Sequence, residues 1–359
     1  MSGNFTQRGE AAIQNKLVRA ECAVRAGADV VVELPLPFSV GNAELFAKGA
    51  LKMLAAVPQI KQLAFGVECG KKEDFYALAR LLNDEPPEYK ASLKKYLSQG
   101  LSFAAAREQA LKEYLPDADE RLFTSPNCVL GLEYTRAILS LGAKIEILPL
   151  PRTGAGHGEN TLKKDVSSAS SIRSAILQNI PVHALPDYSK STLPLCLTAE
   201  DFARLDAMEY YALWERSAER LAELCDCSEG LENALKSATK EYFSVQQIIE
   251  RVTSKRYTSS RVRRILLCNL FSVTEKLQRE LLQEDLYLRP LAIKKSIADR
   301  LFAEWKQTVA FPLLIRKGDE QNLSPAAKKL FDVTMRADEL YASLQKKKSA
   351  PYTVRFVED

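Results

Sequence analysis

Three residues of this 359-residue chain, Gly66, Asn127 and Arg152, have the types and positions that nucleotide chemistry uses. Gly66 closes an apolar run, and the absence of a side chain lets backbone approach a flat ring or a phosphate. Asn127 lies in the first turn of a helix opened by Ser125-Pro126, beside N–H groups that favour anions. Arg152 brings a permanent positive charge to the glycine-rich stretch PRTGAGHG, residues 151–158. Taken singly, a turn glycine, a helix-start asparagine and a surface arginine look the same. Neither a GxGxxG fingerprint nor a GxxxxGK[ST] phosphate loop occurs in the chain. A second set, Ser167-Ser168-Ala169-Ser170-Ser171-Ile172-Arg173, offers hydroxyls, backbone donors and a cation to a phosphate chain. A plain serine cap with an incidental arginine has the same spelling. In a third set, Arg251, Lys255, Arg256, Arg261, Arg263 and Arg264 place six cations within fourteen residues, with Tyr257 among them and no acid between. Arginines grip phosphates and a tyrosine stacks on an unpaired base, so this is an RNA footprint; a solvated charged face is the alternative. His157 is an acid–base group by type, but a lone loop histidine reads as solvated.

The elements that must place these residues are written in the apolar periodicity. Ile13, Leu17, Ala20 and Val24 share one helical face over 11–26, with Gly27 as the stop. The β-branched run at 30–35 predicts a strand, followed by an Asn42-capped helix to about Ala56 and a strand over Ile60–Phe65. Helices follow at Glu73–Leu82, from Pro87, from Ser102 and from Pro126 to Leu141; a third strand spans Ala143–Leu150. Strands separated by helices predict a parallel sheet with ligands beyond the carboxyl ends of its strands, where Gly66, Asn127 and Arg152 would converge on one edge. A proline-punctuated connector at 181–189 leads to a helical domain from about 190, with helices over 199–225, 245–252, 260–282 and 293–305.

Composition limits the function classes. Fifty Lys and Arg against 46 Asp and Glu give +4, which permits a nucleic-acid partner without demanding one. The seven cysteines contain no CxxC, and with two histidines a structural zinc site or disulfide framework is not expected; Cys225-Asp226-Cys227 reads as structural. No apolar run reaches the roughly 18–20 residues of a membrane span and no secretory leader opens the chain, so a soluble, cytoplasmic protein is expected. The cluster Lys346-Lys347-Lys348 reads as a solvated helix end.

Seven blocks in order carry a resemblance: Met1-Ser2-Gly3-Asn4-Phe5-Thr6-Gln7-Arg8-Gly9-Glu10, Asp29-Val30-Val31-Val32-Glu33-Leu34-Pro35, Phe65-Gly66-Val67-Glu68, Ser125-Pro126-Asn127-Cys128-Val129-Leu130-Gly131, Arg152-Thr153-Gly154-Ala155-Gly156, Ser168-Ala169-Ser170-Ser171-Ile172-Arg173 and Lys255-Arg256-Tyr257-Thr258-Ser259-Ser260-Arg261. Together they resemble the bacterial tRNA(Met) cytidine acetate ligase family over essentially the whole chain. The resemblance implies an α/β fold: a Rossmann-like nucleotidyltransferase domain at 1–180, with a truncated parallel sheet, and an α-helical tRNA-binding domain at 190–359. It implies that acetate and ATP form acetyl-adenylate and that the acetyl group passes to the wobble cytidine of elongator tRNA(Met), leaving N4-acetylcytidine. The family's ATP-contacting residues fall on Gly66, Asn127 and Arg152. Ser170, Ser171 and Arg173 would bind phosphate; Lys255, Arg256, Tyr257, Arg261, Arg263 and Arg264 would hold the tRNA. Magnesium is expected with ATP, and no residue is named as its ligand.

The family also opens on a strand leading to an H-x-G-H motif that handles the triphosphate, and this chain has no such motif. A mis-called start or a fragment of a working enzyme is the expected reason, because a sheet missing its opening strands exposes an unpaired edge. The alternatives are an RNA-binding remnant that has lost catalysis and a small-molecule adenylyltransferase.

Overall fold

The computed structural model describes residues 1–152, 167–183, 185–350 and 352–358. They fall into two compact units. One comprises 1–40, 153–252 and 259–359; the other comprises 41–152 together with 253–258. The chain does not divide near 180–190 as expected, because its first forty residues belong with the helical part.

In the second unit, α2 (Ala43–Ala55), β2 (Gln62–Val67), α3 (Lys72–Asp84), α4 (Pro87–Ser98), α5 (Phe103–Tyr114), α6 (Arg121–Thr124), α7 (Pro126–Leu141) and β3 (Glu146–Pro151) follow in order. The first unit holds α1 (Lys16–Arg25) and β1 (Val30–Val32) ahead of them. After them come α8 (Ala169–Leu177), α9 (Asp187–Lys190), α10 (Ala199–Glu215), α11 (Ala218–Ala222), α12 (Leu231–Ala238), α13 (Val245–Val252), α14 (Ser259–Phe271), α15 (Glu275–Gln283), β4 (Pro290–Lys294), α16 (Ala298–Thr308), α17 (Pro325–Leu344) and β5 (Arg355–Val357).

The second unit is the predicted α/β arrangement in small form. β2 and β3 pair in parallel, with Gly66 opposite Leu150 and Val67 opposite Pro151. A parallel pair needs a long crossover, which α3–α7 supply. The capping residues read from sequence act as caps: Asn42 Oδ1 accepts from the Leu45 N–H at 2.9 Å, and Ser102 Oγ from Ala105 at 3.4 Å. The core gathers Val67, Phe75, Leu132, Ile138 and Ile147. Phe65 of β2 lies edge-on to Phe75, with ring centres 5.7 Å apart, and presses on Gly131 of α7, where a Cβ would stand 2.3 Å from the ring. Gly131 therefore lets α7 approach β2 closely enough to set its first turn beside the strand ends. Leu148 and Leu150, on the other face of the pair, are exposed.

The expected third parallel strand is corrected. β1 belongs to the first unit, where it pairs antiparallel with β4, and β4 pairs in parallel with β5. Val31 packs with Leu291, Ala292 and Val357 beneath Leu17, Ala20 and Val24 of α1. A three-residue strand buries too little to declare its partner, and here the partner stands some 260 residues away. The first helix also begins later than expected, at Lys16 with Asn15 as its cap. The long helical stretches break: at Arg216, which is extended, and at Ser272, which is left-handed with φ 54°. The reading of 293–305 as one helix mistook the end of β4 for its first turn.

One buried network ties the opening loop to this unit. Lys16 Nζ lies 2.5 Å from both Glu33 Oε1 and Asp338 Oδ2; Arg289 Nη1 lies 2.8 Å from Glu33 Oε2 and 3.3 Å from Asp338 Oδ2. Asn4 donates from Nδ2 to Asp338 at 2.9 Å and accepts the Lys16 N–H at 2.8 Å. Two cations and two carboxylates cancel, as burial requires. Burial pushes Glu33 up, but Lys16 and Arg289 outweigh it and hold its carboxyl below the usual range.

Candidate functional site

At the carboxyl ends of β2 and β3, the Arg152 N–H donates to Val67 O at 3.0 Å and carries the pairing one residue beyond the strand. This lays the Arg152 side chain over Gly66: a Cβ added at Gly66 would stand 3.3 Å from Arg152 Cγ. Gly66 and Arg152 are thus brought together, both exposed, as the strand-end rule expects.

Asn127 follows in the first turn of α7, but the donors of that turn are not waiting for a ligand anion. Glu68, two residues beyond Gly66, takes them. Its Oε2 accepts from the Cys128 N–H at 3.1 Å and from the Cys128 thiol at 3.3 Å; its Oε1 accepts from Asn127 Nδ2 at 2.7 Å. Burial pushes Glu68 up, while the bonds from Cys128 and Asn127 outweigh it and hold its carboxyl below the ordinary range. The consequence for Asn127 is an assigned orientation. With one Nδ2 hydrogen held by Glu68 the amide is fixed, and its Oδ1 is the acceptor it presents; an amide oxygen is suited to an exocyclic amine such as that of adenine. Glu68 is the positioning residue that spacing did not single out. The available signal was a carboxylate just past a strand-end glycine, where a helix start needs an anion.

The serine set lies in the first unit. Ser168 caps α8, accepting from the Ser171 N–H at 3.0 Å, while the Ser171 hydroxyl is buried and donates to Ser168 O at 2.9 Å. Ser171 is therefore part of the cap. Ser170 accepts from Arg8 Nη1 at 3.2 Å. Burial lowers the Arg173 pKa, and neighbouring Arg8 lowers it further against Glu10. A hydroxyl on a helix N-terminus bonded by one arginine, with a second guanidinium close enough to feel that arginine's charge, has the chemistry of a phosphate site. Arg8 joins this group only through the fold.

The basic run divides. Lys255 and Arg256 are exposed on a turn closed by Ser254, whose Oγ accepts from the N–H groups of Arg256 and Tyr257 at 3.3 and 3.1 Å. The Arg256 guanidinium lies 5.7 Å from the Tyr257 ring centre. Arg261 is engaged elsewhere, donating to Asp226 O at 3.0 Å, Glu229 Oε2 at 2.9 Å and Ser228 Oγ at 2.9 Å. Arg264 pairs with Asp226 at 3.2 Å, and Arg263 donates to Gln246 at 3.1 Å with Glu10 at 3.7 Å. The reading of an uncompensated strip is thus corrected at Arg261 and Arg264: the run holds no acid, but the acids arrive from residues 226–229.

His157 and residues 153–156, which follow Arg152 in the chain, lie outside the described residues. Among the described residues, no group of three His, Cys, Asp or Glu side chains could hold a metal ion, and no helix is long and apolar enough to cross a membrane. A cavity of about 650 Å³ between α3 and the α5–α6 segment is lined by Leu78, Leu81, Asp117 and Asp119 among others and holds none of the predicted site residues.

The chain as a whole has known relatives. Residues 1–354 match the model of the HIGH nucleotidyl transferase family. The tRNA(Met) cytidine acetate ligase of Acetivibrio thermocellus is 33% identical over 96% of this chain and 87% of its own length. That of Caldanaerobacter subterraneus is 35% identical over 88% and 80%. The crystal structure of apo Thermotoga maritima TmcAL superposes with a TM-score of 0.92 at 26% identity, covering all of this chain and 92% of that one. TmcAL bound with alpha-thio ATP superposes at 0.87, covering 91% of that chain. The chain belongs to the tRNA(Met) cytidine acetate ligase family of HIGH nucleotidyltransferases.

Proposed function

We propose that this protein activates acetate with ATP and transfers the acetyl group to the exocyclic amine of the wobble cytidine in elongator tRNA(Met). The observation that carries the reading is the strand-end group: Gly66 exposed and without a side chain, the Arg152 side chain beside it, and Asn127 turned by Glu68 to present its oxygen. In the first step a carboxylate oxygen of acetate attacks the α-phosphorus of ATP. The bond to the β-phosphate bridge breaks, giving acetyl-adenylate and pyrophosphate. In the second, the cytidine amine attacks the acyl carbon, the bond to AMP breaks, and the amine loses a proton.

Each residue has a definite part. Gly66 admits the nucleotide, Asn127 Oδ1 accepts from the adenine amine, and Arg152 balances negative charge. Arg8, Ser170, Arg173 and the N-terminus of α8 hold a phosphate group, with Ser171 fixing the cap. Lys255, Arg256 and Tyr257 meet the tRNA, as does Arg263; Arg261 and Arg264 keep the 226–229 loop in place. Magnesium travels with the ATP phosphates.

The test is to incubate the full chain with ATP, labelled acetate and tRNA(Met), following pyrophosphate release and the digested nucleosides. Acetate-dependent pyrophosphate and N4-acetylcytidine are expected. Retained tRNA binding with no acetate-dependent pyrophosphate would refute the catalytic reading and leave an RNA-binding protein.

A further inference from the structure

Helix α10 turns one stripe inward: Asp201, Leu205, Glu209 and Leu213, four residues apart. Leu205 and Leu213 are core, and Asp201 is satisfied by the Thr198 N–H at 2.8 Å and by Arg204 at 2.6 Å. Glu209 differs. It is 8% exposed, yet no described group donates a hydrogen bond to its carboxyl. A buried carboxyl without donors costs more than the leucine its position would accept.

This side chain borders a cleft of about 300 Å³ lined by the opening loop, α8, α10, α13 and α14 and open to solvent on one side. Arg173, Arg263, Asp206, Glu10 and Phe202 line it with Glu209. Burial pushes Glu209 up to about 8, Asp206 adding to the rise and Arg263 opposing it. Glu10 faces Arg263 at 3.7 Å, and Arg173 faces the cavity from α8. At neutral pH the carboxyl is protonated, and so offers one donor beside one acceptor.

A cytosine edge is the complement of that pair. The O–H donates to N3, and the carbonyl accepts from the N4 amine. Arg263 supplies donors for O2, the Asp206 carboxylate takes the second amine proton and repels the O4 of uracil, and Phe202 offers a ring face. We propose that this cavity seats the acceptor cytosine, with Glu209 bonded to its N3–N4 edge. The proposal rests on the RNA-acetylation reading and deepens it by naming the recognition site of the reacting base.

The experiment measures the affinity of the full chain for a tRNA(Met) anticodon hairpin carrying cytosine, uracil or no base at the wobble position, from pH 6.5 to 9. The wild type is expected to prefer cytosine over the abasic hairpin by about tenfold to a hundredfold, the preference fading above about pH 8 as Glu209 ionises. E209L should lose the preference. E209Q, whose amide keeps a donor beside an acceptor, should recover most of it without the alkaline fade. A folded E209L with wild-type preference overturns the proposal, as does an E209Q with the wild-type pH profile, which decides the matter even if E209L does not fold. Acetyl transfer is assayed in parallel: preference without transfer counts against the enzyme reading, and transfer without preference counts against the cytosine seat.

Discussion

Two buried charge clusters in the same unit are built on opposite terms. Lys16, Glu33, Arg289 and Asp338 meet one another at 2.5 to 3.3 Å, with Asn4 taking part. Glu209 has a cavity on one side and only through-space neighbours on the other. Lys16 and Asp338 also border a cavity, of about 220 Å³, so cavity contact is not the difference. Saturation is. Charges that satisfy each other hold the start of α1 to α17 and to Arg289 just ahead of β4, whereas a carboxyl left unsatisfied keeps bonding capacity for something that is not protein. Glu68 stands between these cases, because its bonds are internal but their product is the orientation of Asn127.

The largest effect that would break this comparison is at Lys16. Lys16→Met leaves Glu33 and Asp338 short of a cation in a buried site and should cost about 3–5 kcal/mol in urea unfolding. A loss below about 1 kcal/mol would show that the network does not depend on its pairing. Next comes Glu209→Leu, whose sign is opposite. Between the ordinary carboxylate range and about pH 8 the unfolded chain has released this proton and the folded chain keeps it, so stability falls as pH rises across that window. The variant should flatten that fall and gain about 1–3 kcal/mol at pH 8. Urea midpoints at pH 5 and pH 8 check this, and a variant less stable than wild type at pH 8 would mean that Glu209 is a satisfied core group.

Glu68→Ala comes third. It frees the first turn of α7 and should cost about 1–2 kcal/mol, with weaker ATP binding because Asn127 loses its anchor. Since the Glu68 pKa is lowered, its stabilisation is present above the ordinary carboxylate range and lost as pH falls through the lowered value. Calorimetric ATP titration of the folded variant decides the orienting role, and unaltered affinity would remove it. The smallest stability effect is expected at Arg256. Arg256→Ala should stay within about 0.5 kcal/mol while lowering the salt dependence of RNA binding by roughly one ion. Arg261→Ala should instead loosen the 226–229 loop and cost about 1–2 kcal/mol. If the two variants behave alike, the division of the basic run is wrong.

Much of the second unit was legible in the chain. Its helices are long enough to show their period, Asn42 and Ser102 cap where their types predict, and Gly66 and Arg152 meet because a parallel pair puts strand ends side by side. Glu68 was not legible as a partner, since its bonds reach across some 59 residues to Asn127. Nor were the acids that neutralise Arg261 and Arg264, which no reading of the run itself contains.

The sequence by itself determined residue type and local period: which stretches curl into helices, where chain reversals fall, and which groups carry charge or donors. It also placed a carboxylate on the inward stripe of α10, visible once the spacing of four is followed. Only the tertiary structure decided which charges cancel. Ionic and hydrogen-bonding partners are set by proximity in space, and proximity between residues far apart in the chain is a property of packing. Glu33 met Lys16 and Arg289, and became structure; Glu209 met a cavity, and stayed available.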